Sequence, residues 1–357
     1  MNQNEALTMT REAAAATSFY LRNNLSAQGQ VPFTPPLERC PDIIQSDAPV
    51  ADFQDVFSAV SSWQQAYNVA PRIEVENYYY LRAMNGGTTP GSGSLSLYYA
   101  PAQVFMLPSL WKSNLLTTAT GAESAAVSAK AGQIGVAGDA FVWSPAAPPR
   151  DSYYSFVAQY NEGSSPDPLP TVGSWLDLAK LIGQTSSLGI RNQSMVDGNQ
   201  WVRRQQLYVP PGFVDTPITI TVSSSGLTGT MVALLADTVA GPSTQPLYLG
   251  PQSIAGDGTL TGGQFSLPPG YRANLAVQFW NPNGVKVAPG AILQVTFSYP
   301  VSNAQDFAYA VEHGLVNQHW HEEAEVAQVS GGVKPKALAI VGQLCFTFAA
   351  PTQMAYG

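Results

Sequence analysis

The stretch Ile73-Glu-Val-Glu-Asn-Tyr-Tyr-Tyr-Leu-Arg-Ala83, followed by Met84-Asn-Gly-Gly87, decides the fold. Ile73, Val75, Tyr79, Leu81 and Ala83 fall on one parity, and Glu74, Glu76 and Arg82 fall on the other. Side chains of a strand point alternately to its two faces, so this rhythm predicts a half-buried strand and excludes an amphipathic helix. Asn85-Gly86-Gly87 ends it with residues that turn easily. After a polar Gly/Ser/Thr loop to Ser94, the alternation resumes at Leu95, Leu97 and Tyr99 and stops at Pro101.

Outward from this hairpin the pattern repeats. Strands are predicted at Ile134 to Val136, Ala140 to Trp143, Tyr153 to Tyr160 and Leu188 to Val196. Beyond a linker at Asp197-Gly-Asn-Gln200 they return at Trp201 to Val209, Ile218 to Val222, Met231 to Ala236, Gln264 to Leu267, Arg272 to Phe279 and Ile292 to Tyr299. A last strand, Ala337 to Phe348, begins with the apolar run of a strand buried on both faces. Three turns share a form, Val209-Pro-Pro-Gly212, Leu267-Pro-Pro-Gly270 and Val287-Ala-Pro-Gly290, which suits type II reversals.

Two helices interrupt the strands. Trp175, Leu178, Ala179 and Ile182 lie on one helical face behind a Ser174 N-cap. Ala304, Phe307, Ala308, Val311 and Leu315 do the same behind Ser302 or Asn303. Residues 5 to 24 suit a third, short helix leading into the Pro-rich Val31 to Pro36. The fold class is therefore all-β: two tandem β-sandwich domains, Ig-like or jelly-roll-like, with a few short helices and an N-terminal arm. The divisions are an arm over 1–36, packed on a neighbour or loosely ordered, an Ig-like sandwich over 37–197, and a second sandwich over 198–357 with a helix at 302–316.

Composition agrees. Two domains suit 357 residues, and 31 Gly with 28 Pro suit many short strands and turns. Only 11% of the residues are charged, the net charge is −8, and no basic run occurs, which argues against nucleic acid or an anionic membrane as partner. The first 21 residues carry Glu5, Arg11 and Glu12 and no continuous apolar core, so they do not read as a Sec signal, and no stretch is long and apolar enough to span a bilayer. The expected setting is extracellular or assembly-associated by another route, with the cytoplasm as the alternative. Cys40 and Cys345 are too few for a disulfide framework, although one bridge between them stays open.

Pro41-Asp-Ile-Ile44, Asn77-Tyr-Tyr-Tyr-Leu-Arg82, Leu97-Tyr-Tyr-Ala-Pro101, Pro108-Ser-Leu-Trp111, Phe141-Val-Trp-Ser-Pro145 and Arg191-Asn-Gln-Ser194 together resemble Ig-like sandwich modules of bacterial secreted and surface proteins, over residues 41 to 197. The resemblance implies an adhesive, spacer or accessory role.

Two constellations are candidate sites. His313, His319 and His321, followed by Glu322 and Glu323, carry zinc-type ligands. On a strand His319 and His321 share a side; on a helix they stand about 200° apart, and no second His follows at i+4. A zinc site, a solvated helix end or subunit contact, and a pH-sensitive contact all stay open. Tyr78, Tyr80, Tyr98, Tyr153 and Tyr154 include outward-parity positions in a chain with 16 Tyr and 7 Trp, and mark an interface or binding surface, core packing or glycan stacking. With no nucleophile elbow, P-loop or dinucleotide fingerprint in the sequence, the expected function is that of a non-enzymatic structural or interaction protein, without cofactor, acting as a homo-oligomer or in a bacterial or phage assembly. A host-directed toxin or receptor- or glycan-binding component and a metal-dependent enzyme using the histidines are the alternatives.

Overall fold

The computed structural model describes residues 19–67, 69–215, 217–240, 247–258, 261–301, 303–315 and 337–349. The first half runs β1 (Phe19–Tyr20), β2 (Ile43–Ser46), α1 (Phe53–Ser58), α2 (Val60–Trp63), β3 (Asn77–Asn85), β4 (Gly91–Pro101), α3 (Pro108–Trp111), β5 (Ala125–Ala129), β6 (Ile134–Val136), β7 (Phe141–Trp143), β8 (Tyr154–Asn161), α4 (Trp175–Gln184), β9 (Leu188–Arg191) and β10 (Gln193–Val196). The second half runs β11 (Gln200–Tyr208), β12 (Pro217–Ser225), β13 (Met231–Ala240), β14 (Tyr248–Ser253), β15 (Thr261–Ser266), β16 (Arg272–Trp280), β17 (Ile292–Val301), α5 (Ala304–Glu312) and β18 (Ala337–Phe348).

The fold is all-β and sandwich-like. One sheet centres on β3, flanked by β1, β2, β6 and β7, and a second has the order β5-β4-β8-β9. The other two have the orders β10-β18-β17-β12-β15 and β11-β16-β13-β14. Neighbours pair antiparallel except β10 with β18, which run parallel from Gln193↔Cys345 to Val196↔Phe348. The division at 197/198 thus falls between β10, which belongs to the sheet built from β12, β15, β17 and β18, and β11, which belongs to the opposite sheet. One apolar core also runs across it, with Phe105, Trp175, Leu178 and Ile190 packed in the same cluster as Leu234, Phe279, Phe297 and Phe346. The contact is close at Gly342, where a Cβ would lie 2.4 Å from the Val104 carbonyl oxygen, so only glycine fits.

β3 and β4 do not pair as the hairpin their sequence suggests, because β3 joins the sheet of β1, β2, β6 and β7 and β4 lies between β5 and β8. β3 is also buried more deeply than its rhythm predicts. β3 begins at Asn77, and Ile73 and Val75 lie in the turn before it. Tyr79, Leu81 and Ala83 face one core, as expected. The opposite face is covered as well: α1 and the chain around it lay Phe53 and Phe57 against Tyr80, and Arg82 is fully buried. A polar side chain can occupy such a position when its hydrogen bonds and charge are met inside the protein. Arg82 meets Asp42 at 3.1 Å, and Arg22 pairs with the same carboxylate while its guanidinium lies 3.3 Å from the centre of the Trp63 ring. Ser62 Oγ and the carbonyls of Pro41, Trp63 and Gln65 accept the remaining donors.

Residues 19–37 correct the picture of an arm. Phe19 and Tyr20 form a strand where a helix was expected, because Phe19, Leu21 and Arg22 are wholly enclosed by the chain itself. The Phe33 amide donates to Gly183 at 2.8 Å, and the Asn24 side chain donates to Thr34 and Pro36. The rest of the arm lies outside the described residues.

Both later helices form behind the expected caps, with Ser174 accepting from the Asp177 amide and Asn303 from the Asp306 amide. In α5, however, Ala304 and Ala308 are exposed, and Ala310 makes the buried contact. Of the Pro-Gly turns, Gly270 and Gly290 adopt the positive φ that type II turns need, at 80° and 91°, whereas Gly212 does not.

Candidate functional site

Strand register assembles an aromatic cluster on the first half. β4 pairs with β8 so that Tyr99 opposes Phe156 and Pro101 opposes Tyr154, while β7 brings Trp143 beside Asn77 of β3. Tyr79 and Phe156 form the buried floor, 4.8 Å apart. Above it Tyr99 and Trp143 approach to 4.4 Å, Trp143 and Tyr154 to 4.7 Å, and Tyr99 and Tyr154 to 5.9 Å. All three upper rings stay partly exposed. The Tyr154 hydroxyl donates to the Ala146 carbonyl at 2.8 Å, and burial followed by the neighbouring Tyr99 raises its pKa.

Tyr154 also opens onto a cleft of about 180 Å³. Its walls are Val69, Ala70, Pro71 and Ile73 on one side and residues of β8 to β11 on the other, including Arg191 and Arg203. Arg191 is 5% exposed, donates to the Ile43 carbonyl at 2.6 Å and to Gln45 Oε1 at 3.4 Å, and lies 5.3 Å from the Phe156 ring. Arg203 donates to Ser194 Oγ at 3.0 Å and to the carbonyls of Val202 and Met195. Burial lowers the pKa of both.

Behind the cleft the two halves meet at Asn192. Its amide group donates to Glu38, Gln103 and Gln343, and its oxygen accepts from Tyr153 and Ser155. Glu38 is so enclosed that burial, only partly offset by these bonds, pushes its carboxyl up to about 8. A larger, more open groove of about 1130 Å³ lies elsewhere on the first half, lined by small and hydroxyl residues of β4 and β5 with Asp55, Glu123 and Glu162 at its rim.

The five tyrosines singled out in the sequence do not share one surface. Tyr80 and Tyr98 are buried: Tyr80 takes the Val50 amide on its hydroxyl, and Tyr98 packs on Trp111 and donates to Gln159. Both sit on outward parity, but each is covered by a short helix that left little trace in the sequence. Tyr78 donates to Glu76 beside it, Tyr153 turns its hydroxyl inward to Asn192, and Tyr154 alone of the five joins the exposed cluster. Tyr99, Trp143, Arg191 and Arg203 are the site residues that sequence reasoning missed. Arg191 had a signal, a lone charge inside the otherwise uncharged run Leu188 to Val196.

Among the histidines, His313 ends α5 with its ring 4.3 Å from Tyr309, and His319 and His321 lie outside the described residues. Among the described residues no group of three or more His, Cys, Asp or Glu side chains is placed to hold a metal ion. Cys40 and Cys345 are free and buried, and burial pushes the Cys40 thiol up to about 12 and raises that of Cys345. No helix among the described residues is long and apolar enough to cross a membrane.

No family model and no curated protein matches the chain. Among solved structures, red sea bream transglutaminase matches 68% of this chain at 10% identity with a TM-score of 0.14, and the chain spans 30% of that protein. Vicilin from hazelnut matches 74% of the chain at 11% identity with a TM-score of 0.10, over 89% of its own length. Likenesses this faint carry no argument about fold or function.

Proposed function

We propose that this chain is a non-enzymatic interaction protein that works through the surfaces of its β-sandwiches, as a homo-oligomer or as a subunit of a larger assembly. The observation that carries the reading is the partly exposed cluster of Tyr99, Trp143 and Tyr154. Tyrosine and tryptophan supply large contact areas at low conformational cost, and they dominate the centres of protein interfaces. The low charge of the chain points the same way, because a surface with few charges is poorly defended against association.

The test is light scattering on the purified chain together with affinity capture from its native source, for the natural protein and for Trp143→Ala. Association by the natural protein is expected, weakened by about thirtyfold or more in the variant, as for a residue at the centre of an interface. A strict monomer at micromolar concentration that captures nothing overturns the proposal, as does association that Trp143→Ala leaves intact. A response confined to glycans would replace it with the glycan-binding alternative.

A further inference from the structure

The cleft beside the aromatic cluster supports a second inference, which goes beyond the interaction role and does not depend on it. We infer that the space between residues 69–73 and strands β8 to β11 is a binding site for a carboxylate carried on a short apolar body.

Charge is the first reason. Arg191 and Arg203 both line the cleft, and no carboxylate among the described residues lies within ion-pair distance of either. The acidic groups that could serve are otherwise engaged. Asp151 acts on Arg203 only from a distance and lies within 4 Å of Arg150 and Arg204, at 3.7 and 3.6 Å. Glu38, on the far side of Asn192, holds its proton at neutral pH. Tyr79 and Cys40, which face Arg191, are also held protonated by burial. Arg191 is taken out of water without a counter-charge and Arg203 partly so, which is costly, and a bound anion offsets that cost.

Donor geometry is the second reason. A guanidinium has five N–H donors in a planar fork. Two hydrogen bonds from Arg191 and three from Arg203 are spent on neutral acceptors, which fixes both groups and leaves donors over. A planar carboxylate matches such a fork in two parallel bonds.

The walls supply the rest of the specificity. Val69, Ala70, Pro71, Ile73 and Met195 offer apolar surface, and about 180 Å³ suits a few carbons beside the acid group but excludes a folded module. A phosphate is more strongly hydrated, has more oxygens to satisfy and gains nothing from the apolar walls, so it is the poorer match.

Hexanoate is the probe, titrated into the full chain by calorimetry, with hexan-1-ol and inorganic phosphate alongside. Saturable binding of hexanoate that weakens with salt, and no binding of hexan-1-ol, is expected. Arg203→Gln should weaken hexanoate by about tenfold or more, and Arg203→Lys, which keeps the charge without the fork, should fall between. A peptide ending in a free carboxylate, compared with its amidated twin, separates a peptide terminus from a small free acid as the source of the group. The inference fails if hexanoate does not bind at tens of millimolar, if hexan-1-ol or phosphate binds as well, or if Arg203→Gln binds it unchanged. Should Arg203→Gln not fold, the salt dependence and the hexan-1-ol comparison on the natural protein still decide. The association assay reads Trp143 and this titration reads Arg203, so either can fail alone.

Discussion

Two pairs of arginines, three of the four side chains buried and Arg203 partly so, sit in this molecule under contrasting conditions. Arg22 and Arg82 converge on Asp42, with Trp63 stacked beneath and backbone carbonyls taking the remaining donors. Arg191 and Arg203 face a cleft and find only neutral acceptors. The first pair ties the segment after residue 21, β2, β3 and the α2 loop into one unit, and little of it is open to a ligand. The second keeps charge and hydrogen-bonding capacity in reserve at a surface opening. Burial alone therefore does not separate structural arginines from those available for recognition. The presence of a paired carboxylate does.

The largest effect should come from Asp42→Asn, which strips the shared counter-charge from two buried guanidinium groups. A loss of about 3–5 kcal/mol is expected in urea unfolding, the usual consequence of breaking a buried ion pair from one side. A loss below about 1 kcal/mol would dissolve the contrast between the two pairs.

Glu38 sharpens the comparison, since it is a buried acid near the unpaired arginines that still does not serve them. Its ordinary value of 4.5 applies when the chain is unfolded, and about 8 applies in the fold. Between those values the unfolded chain gives up a proton that the folded chain keeps, so stability falls as pH rises across the window and levels off above it. The total is a few kcal/mol. Glu38→Gln should flatten that slope in unfolding curves taken from pH 4 to 9; a slope unchanged in the variant would show that Glu38 is not its source.

Arg203→Gln should change stability by only about 1 kcal/mol or less, because the few hydrogen bonds lost are offset by removing a charge with no partner. A loss as large as that of Asp42→Asn would make Arg203 a structural arginine after all.

Much of the fold is legible in the sequence because strand alternation and helix caps are local. Ser174 and Asn303 cap the helices as their spacing predicts, and Ala337 to Phe348 is buried as its apolar run implies. What escaped is long-range. α1 starts at Asp52 without a side-chain cap, β5 is built of small residues, and β14 contains Gly250 and Pro251, so none carries a strong local signal. Tyr80 and Arg82 were placed outward because nothing nearby in sequence reveals that α1 and α2 fold back over them. The cleft has the same origin: Arg191 and Arg203 lie on β9 and β11, and their shared opening exists only once residues 69–73 close its other wall.

The parallel pairing of β10 with β18 bears on how the chain is made. Ribosomes deliver residues 193–196 long before residues 337–348, yet the later strand lies between β10 and β17 and packs under α4. Until it emerges, β10 lacks its only sheet neighbour among the described strands and α4, though held by Phe33 and Phe105, lacks the strand it packs on, so part of their apolar surface faces water. Synthesis therefore passes through a vulnerable interval in which a nascent chain with a largely finished first sheet still waits for its last strand, the kind of exposure that chaperones attend.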